Sequence, residues 1–368
     1  MPSFSTNRCV SHGAEDVDEF VEQHLCRAPK VLFIGTVGIE PSSLYFASKL
    51  AHTSNVDFRY LIEHRANTDK VLQELGNRHR QWLSSHLPAG ACTFHDVEVI
   101  SEDGATVAGR NAASIASAWY DAKYSDIVID GSGMSRGICF PLLRQAMQVG
   151  ERFGANVHVI VASNNHRTIH LKSESNDRAD WIHGFQARMG LDSMAEALTL
   201  WVPQLAHGSV PQLDVMYRHL SALGVALAEV CPIVPFPSID PRRGDELLFD
   251  CREALRGDVG DERLNVIYAH EGDPMDVFHS IVKMETIRKE VFKATNKQAV
   301  SVLSPAGWRL GSLGMVLAAI ALDLPLLYVE TIGYTTESPL PEPTETPSAD
   351  RKWHIWVTGS PYAVSQSQ

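Results

Sequence analysis

Two segments carry residue types suited to gripping an anion. The first runs Gly131-Ser-Gly-Met-Ser-Arg136-Gly137 and follows the apolar stretch Asp126-Ile-Val-Ile-Asp130. The second runs Pro305-Ala-Gly-Trp-Arg309-Leu-Gly311-Ser312 and follows Ala299-Val-Ser-Val-Leu-Ser304. Each reads as a buried strand that leads through a small-residue loop with one arginine into an apolar helix. Such a turn exposes backbone N–H groups at a helix start, where a phosphate or other anion is stabilised. Arg136 and Arg309 add planar guanidinium forks that match paired phosphate oxygens. Ser132, Ser135 and Ser312 can donate to the same oxygens. The loop Gly35-Thr36-Val37-Gly38 permits close approach because two of its residues lack Cβ. The chemistry implied is recognition of a nucleotide-like ligand. The competing account is structural: glycines that only tighten turns, and arginines that pair with nearby carboxylates.

Acids and imidazoles supply the remaining chemistry. Asp130 ends the strand before the first arginine loop and Glu271 follows a later strand, so each is a candidate ligand contact or general base. Glu40 and Asp273 each precede a proline at the start of a helical segment, where the acid is read as a cap. His166, His170, Asp177, Asp180 and His183 crowd one polar stretch, but their spacing fits no helical ligand pair and a solvated loop is expected. Arg242 and Arg243 begin a helix against its dipole, compensated either by an anion or partner or locally by Asp240 and Asp245. The sequence lacks Gly-x-x-x-x-Gly-Lys-[Ser/Thr] and His-Glu-x-x-His, and the loop after the first strand departs from the dinucleotide fingerprint.

The elements that hold these residues are readable from hydrophobic pattern. Strand-length apolar stretches recur at 30–35, 56–62, 94–100, 125–130 and 155–161, separated by helix-period segments. The alternation resumes at 229–235, 264–269, 299–303 and 324–330, after a polar connector whose segments 191–205 and 211–223 read as helical. Strands joined by helical crossovers form mainly parallel sheets covered on both faces. The expected fold class is therefore α/β, with two Rossmann-like halves, mainly parallel sheets and a partial internal duplication. The divisions are an N-terminal extension over 1–28, a first half over 29–162, a helical connector over 163–225, a second half over 226–335, and a Pro-rich linker with a terminal edge strand over 336–368. The two arginine loops echo one another, and 31–41 echoes 266–274, whereas the strands at 56–62 and 94–100 have no counterpart in the second half.

Composition sets outer bounds. With 368 residues, 44% of them hydrophobic, the chain is long enough to divide into two lobes. A net charge of −12 excludes a protein that coats nucleic acid through a basic face, because phosphate neutralisation needs clustered Lys and Arg. Six cysteines without a Cys-x-x-Cys pair imply reduced thiols rather than a zinc knuckle or disulfide framework. No apolar run nears the roughly 20 residues that span a bilayer and no leader pattern opens the sequence, so a cytoplasmic protein is expected.

The run from Val302 to Glu330, with Ser304-Pro-Ala-Gly-Trp-Arg309-Leu-Gly-Ser312 and Leu326-Leu-Tyr-Val-Glu330, resembles the closing segment of CARF domains. These are Rossmann-like sensors of cyclic oligonucleotides in prokaryotic immunity, in which a strand, a Gly-rich loop with a basic residue, an Ala-rich helix and a strand ending in Tyr-Val-Glu follow in that order. Two such halves resemble the SAVED sensors, which are fused CARF-like units. Gly307-Trp308-Arg309 stands where many CARF loops have Gly-Gly-Thr-Lys. The resemblance implies that Ser304, Gly307, Arg309 and Ser312 touch the ligand, and that binding is passed to a separate effector protein in antiviral defence. With the residue-level reading added, the expected ligand contacts are Gly35, Thr36, Gly38, Asp130, Ser132, Ser135, Arg136, Glu271, Ser304, Gly307, Arg309 and Ser312. No catalytic residue, metal, cofactor, membrane or direct nucleic-acid contact is expected, and self-association is left open. The alternative is an enzyme acting on a nucleotide or phosphorylated metabolite, with Asp130 or Glu271 as general base.

Overall fold

The computed structural model describes residues 9–164, 169–186, 197–225, 227–256, 265–293, 299–339 and 346–362. It divides into two compact units, one holding residues up to Glu174 and from Thr331 onward, the other running from Ser175 to Glu330. Both are α/β.

The first unit opens with strand β1 (Val10–Gly13) and helix α1 (Glu15–Gln23), which buries Val17, Phe20 and Val21 at helical spacing. β2 (Val31–Thr36) is buried at every position, as a strand covered on both faces must be. A short 3-10 turn at Pro41–Leu44 passes into α2 (Tyr45–Leu50), followed by β3 (Val56–His64), α3 (Lys70–His86) and β4 (Cys92–Glu98). α4 (Ala108–Ala116) leads to β5 (Asp126–Asp130), and α5 (Arg136–Phe153) to β6 (Asn156–Ser163). α5 stops at Gly154, whose φ of 72° lies in the left-handed region that glycine enters without steric cost. β7 (Leu171–Ser175) follows.

The second unit carries β8 (Asp180–Trp181), β9 (Leu198–Pro203), α6 (Val210–Ala222), β10 (Leu227–Val230) and β11 (Ile233–Pro235). Then come α7 (Arg243–Arg256), β12 (Ile267–Ala269), α8 (Pro274–Phe292), β13 (Ala299–Ser304), α9 (Arg309–Leu322) and β14 (Leu327–Tyr328). The chain returns to the first unit with β15 (Thr331–Thr336), which pairs with β7, and β16 (Arg351–Thr358).

In the first unit β4, β3, β2, β5 and β6 lie side by side in parallel, and β16 and then β1 are added antiparallel beyond β6. The terminal strand expected at an edge is therefore internal, because the short polar segment Val10–Gly13, which has no strand period of its own, covers its outer side. In the second unit β10 and β13 flank β9 in parallel. β11 continues on the side of β10, joined to the end of β9 by a Gln204–Ile233 bridge, and pairs with β12. On the other side a Leu303–Leu326 bridge brings in the segment that becomes β14, which pairs antiparallel with β8.

Counting only the parallel strands, and taking β10 with β11 as one, both units show the order third, second, first, fourth, fifth, with an antiparallel strand beyond the fifth. The duplication is thus fuller than the hydrophobic pattern indicates, since β3 and β4 have counterparts in β10 with β11 and in β12. The missing piece is β9. Its Leu-Thr-Leu-Trp-Val-Pro run falls within the segment read as helical, because periodicity alone cannot separate a short apolar strand from a buried helix. A second correction follows. The segment 31–41 contains a first strand and 266–274 a third, so their likeness is only that of two acid-then-proline helix starts. The arginine loops, by contrast, hold equivalent places, each after a fourth strand.

Candidate functional site at the strand tips

In an open parallel sheet, ligands bind beyond the carboxyl ends of the strands where the order reverses. In the first unit that point lies between β2 and β5. The loops leaving these strands meet backbone to backbone: a Cβ on Gly133 would stand 3.0 Å from Gly38 Cα, and one on Gly38 would stand 2.7 Å from Ser43. Gly35 is needed for another reason, since the Tyr60 ring covers it at 2.9 Å from where a Cβ would be.

Around this junction most polar groups are satisfied internally. Asp130 is 2% exposed, and its Oδ1 accepts from the Ser132 N–H at 2.9 Å and from the Ser132 hydroxyl. Ser132 Oγ in turn accepts from the Ala162 N–H at 2.8 Å, so the pair ties the end of β5 to β6. The Ser135 N–H donates to Glu63 Oε1 at 2.9 Å, and Arg65 holds the other oxygen of Glu63. A protein carboxylate thus lies at the start of α5, where the helix dipole favours negative charge. Arg136 is the first residue of α5. His79 from α3 donates from Nδ1 to the Gly38 carbonyl at 2.7 Å, and burial keeps its pKa below that of a free imidazole despite that bond. Burial, reinforced by the charge of Asp130, pushes the Tyr60 phenol well above its usual range.

Besides the buried Tyr60 hydroxyl, which has no hydrogen-bond partner among the described residues, two further hydroxyls break the pattern. Thr36 Oγ1 at the end of β2 and Ser135 Oγ before α5 are buried and have no hydrogen-bond partner among the described residues. A buried polar atom in that state costs about 1–3 kcal/mol, so a native fold rarely keeps one without use.

The second unit fills the corresponding place with its own side chain. Thr36 pairs with Leu61 and the next N–H, of Val37, donates to Leu61; Gln204 pairs with Ile233 and the N–H of Leu205 donates to Ile233. Thr36 and Gln204 are therefore equivalent. Gln204 is fully buried, its Oε1 accepting from the Gly307 N–H at 3.2 Å and from Ser312 Oγ at 2.7 Å, its Nε2 donating to the Trp308 carbonyl at 3.1 Å. A Cβ at Gly307 would fall 2.3 Å from Gln204 Cγ, and one at Gly311 2.2 Å from Gln204 Nε2. Ser304 Oγ accepts from Trp201 Nε1 at 2.9 Å. Ser304, Gly307 and Ser312 are thus engaged with Trp201 and Gln204, while Arg309 is exposed at the start of α9.

The remaining candidates are placed separately. Glu271 is 5% exposed, with its oxygens held by Arg243 Nη1 and by the Ile239 N–H at 3.0 Å. Neither reading of the arginine pair fits fully. Arg243 is neutralised by Glu271 rather than by Asp245, and Asp240 accepts from the backbone N–H of Arg242. Asp273 caps α8 by accepting from the Met275 N–H at 2.8 Å, whereas Glu40 makes no cap bond to its turn. His166 lies outside the described residues, and the stretch around it is partly β7 and β8 rather than one solvated loop. Met134 and Met315 are fully buried in the core.

Glu63, His79 and Gln204 are not singled out by sequence reasoning. Gln204 alone has a local signal, a lone amide directly after an apolar run.

No family model and no curated protein matches the sequence. Among solved structures, a putative universal stress protein from Pseudomonas aeruginosa UCBPP-PA14 is 11% identical, covers 84% of this chain and 95% of its own, and has a TM-score of 0.24. The cytoplasmic domain of a prokaryotic cation chloride cotransporter is 10% identical over 85% of this chain and 98% of that one, with a TM-score of 0.24. Phytolacca americana UGT2, complexed with UDP-2fluoro-glucose and pterostilbene, is 11% identical over 81% and 79%, with a TM-score of 0.23. At these scores none carries an argument about the site. Among the described residues, no helix is long and apolar enough to cross a membrane.

Proposed function

We propose that this chain binds a nucleotide-derived, phosphate-bearing ligand at the strand tips of its first unit, and acts as a sensor rather than an enzyme. The observation that carries this reading is the contrast between equivalent positions: Gln204 is fully bonded in the second unit, while Thr36 Oγ1 and the adjacent loop's Ser135 Oγ are buried without partners in the first. A phosphate there would take both hydroxyls, compete with Glu63 for the Ser135 N–H, and meet the guanidinium of Arg136. The CARF-like segment around Arg309 makes cyclic oligonucleotides the first class to try, and signalling to a separate effector in prokaryotic defence the corresponding role. Both carboxylates considered as general bases, Asp130 and Glu271, are spent on holding their own turns, which favours binding over proton transfer.

Thermal-shift titration with cyclic oligonucleotides, mononucleotides and nicotinamide nucleotides tests the reading, because a ligand specific for the folded state raises its melting temperature. At least one class should produce a saturable rise that Thr36→Val and Arg136→Ala each weaken by about 10-fold or more. A rise that both variants retain in full would remove these residues from the site, and no rise with any class would reject the ligand assignment.

A further inference from the structure

Strand order gathers five side chains that are scattered through the sequence. Asp126 opens β5, His158 lies on the neighbouring β6, His354 on β16 and His12 on β1, while His24 follows α1. His24 Nε2 and His158 Nε2 lie 2.9 and 3.0 Å from the same oxygen, Asp126 Oδ1. These three atoms all fall within 4.8 Å of one another. The row continues outward, with His158 Nδ1 3.0 Å from His354 Nε2, and His354 Nδ1 2.8 Å from His12 Nδ1.

Asp126, His158 and His354 are almost completely buried, and the side chain of His24 is 32% exposed. Two imidazole nitrogens and one carboxylate oxygen make a donor set suited to a borderline divalent cation. We propose that His24 Nε2, Asp126 Oδ1 and His158 Nε2 form a divalent-metal site of the zinc class, with His354 and His12 as its outer shell.

The surroundings supply what such a site requires beyond its ligands. A metal-bound imidazole needs its second ring nitrogen hydrogen-bonded, and His158 meets His354 there. With metal bound, His158 donates from Nδ1 to His354 Nε2, and His354 donates from Nδ1 to His12 Nδ1, so the tautomers run one way along the row. The carboxylate is oriented by Asn156 Nδ2, 3.0 Å from Oδ1, and by the Ser125 hydroxyl, 2.7 Å from Oδ2. The Phe20 ring stacks on His354 at 3.7 Å between centroids and fixes its plane. Tetrahedral ligation at about 2.0–2.1 Å sets donors roughly 3.3 Å apart, a few tenths of an ångström beyond the two imidazole–carboxylate separations. The site lies at the opposite end of β5 from Asp130 and is independent of the strand-tip ligand.

The test uses the untagged full chain, stripped with EDTA, dialysed and titrated with Zn²⁺ or Co²⁺. About one metal per chain should bind, the melting temperature should rise, and Co²⁺ should give a tetrahedral visible spectrum without a thiolate charge-transfer band. His24→Ala, at the partly exposed ligand, should weaken binding by at least about 10-fold. Wild-type protein that retains no stoichiometric metal would overturn the assignment. A thiolate band would also overturn it, and so would unchanged affinity in a folded His24→Ala variant.

Discussion

Gln204 shows how one buried amide can decide what a loop is for. Its Oε1 and Nε2 satisfy the Gly307 N–H, the Ser312 hydroxyl and the Trp308 carbonyl, which are the groups that glycine-rich spacing presents as anion contacts. Gln204→Ala strands these partners in a sealed interior, and removing one side of such bonds while opening a cavity costs about 2–4 kcal/mol. Urea unfolding followed by fluorescence should show that loss as a lower midpoint at unchanged slope. A loss below about 1 kcal/mol would mean that water replaces the amide. The glycines were legible as a turn that exposes backbone N–H groups at a helix start. The sequence offered no way to see that the approaching group is a glutamine a hundred residues upstream, since spacing describes neighbours along the chain and not across a sheet.

At the scale of elements, apolar runs located most strands because a strand covered on both faces is buried throughout, as β2 and β5 are, and so has a largely apolar middle. The same criterion failed at β9, where a strand-length run merges with neighbouring apolar residues, and at β1, whose polar Val10–Gly13 is a strand only because β16 offers it a partner. Helix packing shows the same division. The Ala-rich α9 is legible as a buried helix, but its partner is not. A Cβ at Gly314 would stand 2.0 Å from the Pro274 carbonyl oxygen, so this glycine lets α9 lie directly on the start of α8. Gly314→Ala forces the helices apart and should cost about 1–3 kcal/mol despite the higher helix propensity of alanine, measurable by thermal unfolding. A neutral or stabilising result would show that the helices slide without loss.

Over the whole molecule, charge pairs join distant segments. Asp18 on α1 accepts from Tyr45 on α2 and from Lys352 on β16, and Asp57 on β3 accepts from Lys30 and Tyr124. Burial acts to raise both carboxyl pKa values, but these hydrogen bonds outweigh it and hold both below the usual range. A carboxyl whose folded pKa lies below its unfolded value near 3.9 stabilises the fold above that value and loses the contribution as pH falls through the folded one. Urea unfolding should therefore change little on this account between pH 7 and 5 and weaken towards pH 3, with a shallower acid limb in Lys352→Met. An acid limb identical to the wild type would show that the lysine does not set the Asp18 carboxyl.

The order in which the chain is made gives the sheet of the first unit a further consequence, for biosynthesis. β6 pairs with a strand whose His354 is 196 residues beyond His158. At about 5–20 residues per second, a ribosome needs roughly 10–40 s to supply that strand. Throughout that interval the nascent chain presents β6 as a bare, apolar sheet margin, open to wrong pairing, while the later unit is still being made. A chaperone that shields β6 during translation would be protecting a hydrogen-bonding edge whose partner arrives only after the whole second unit has been made.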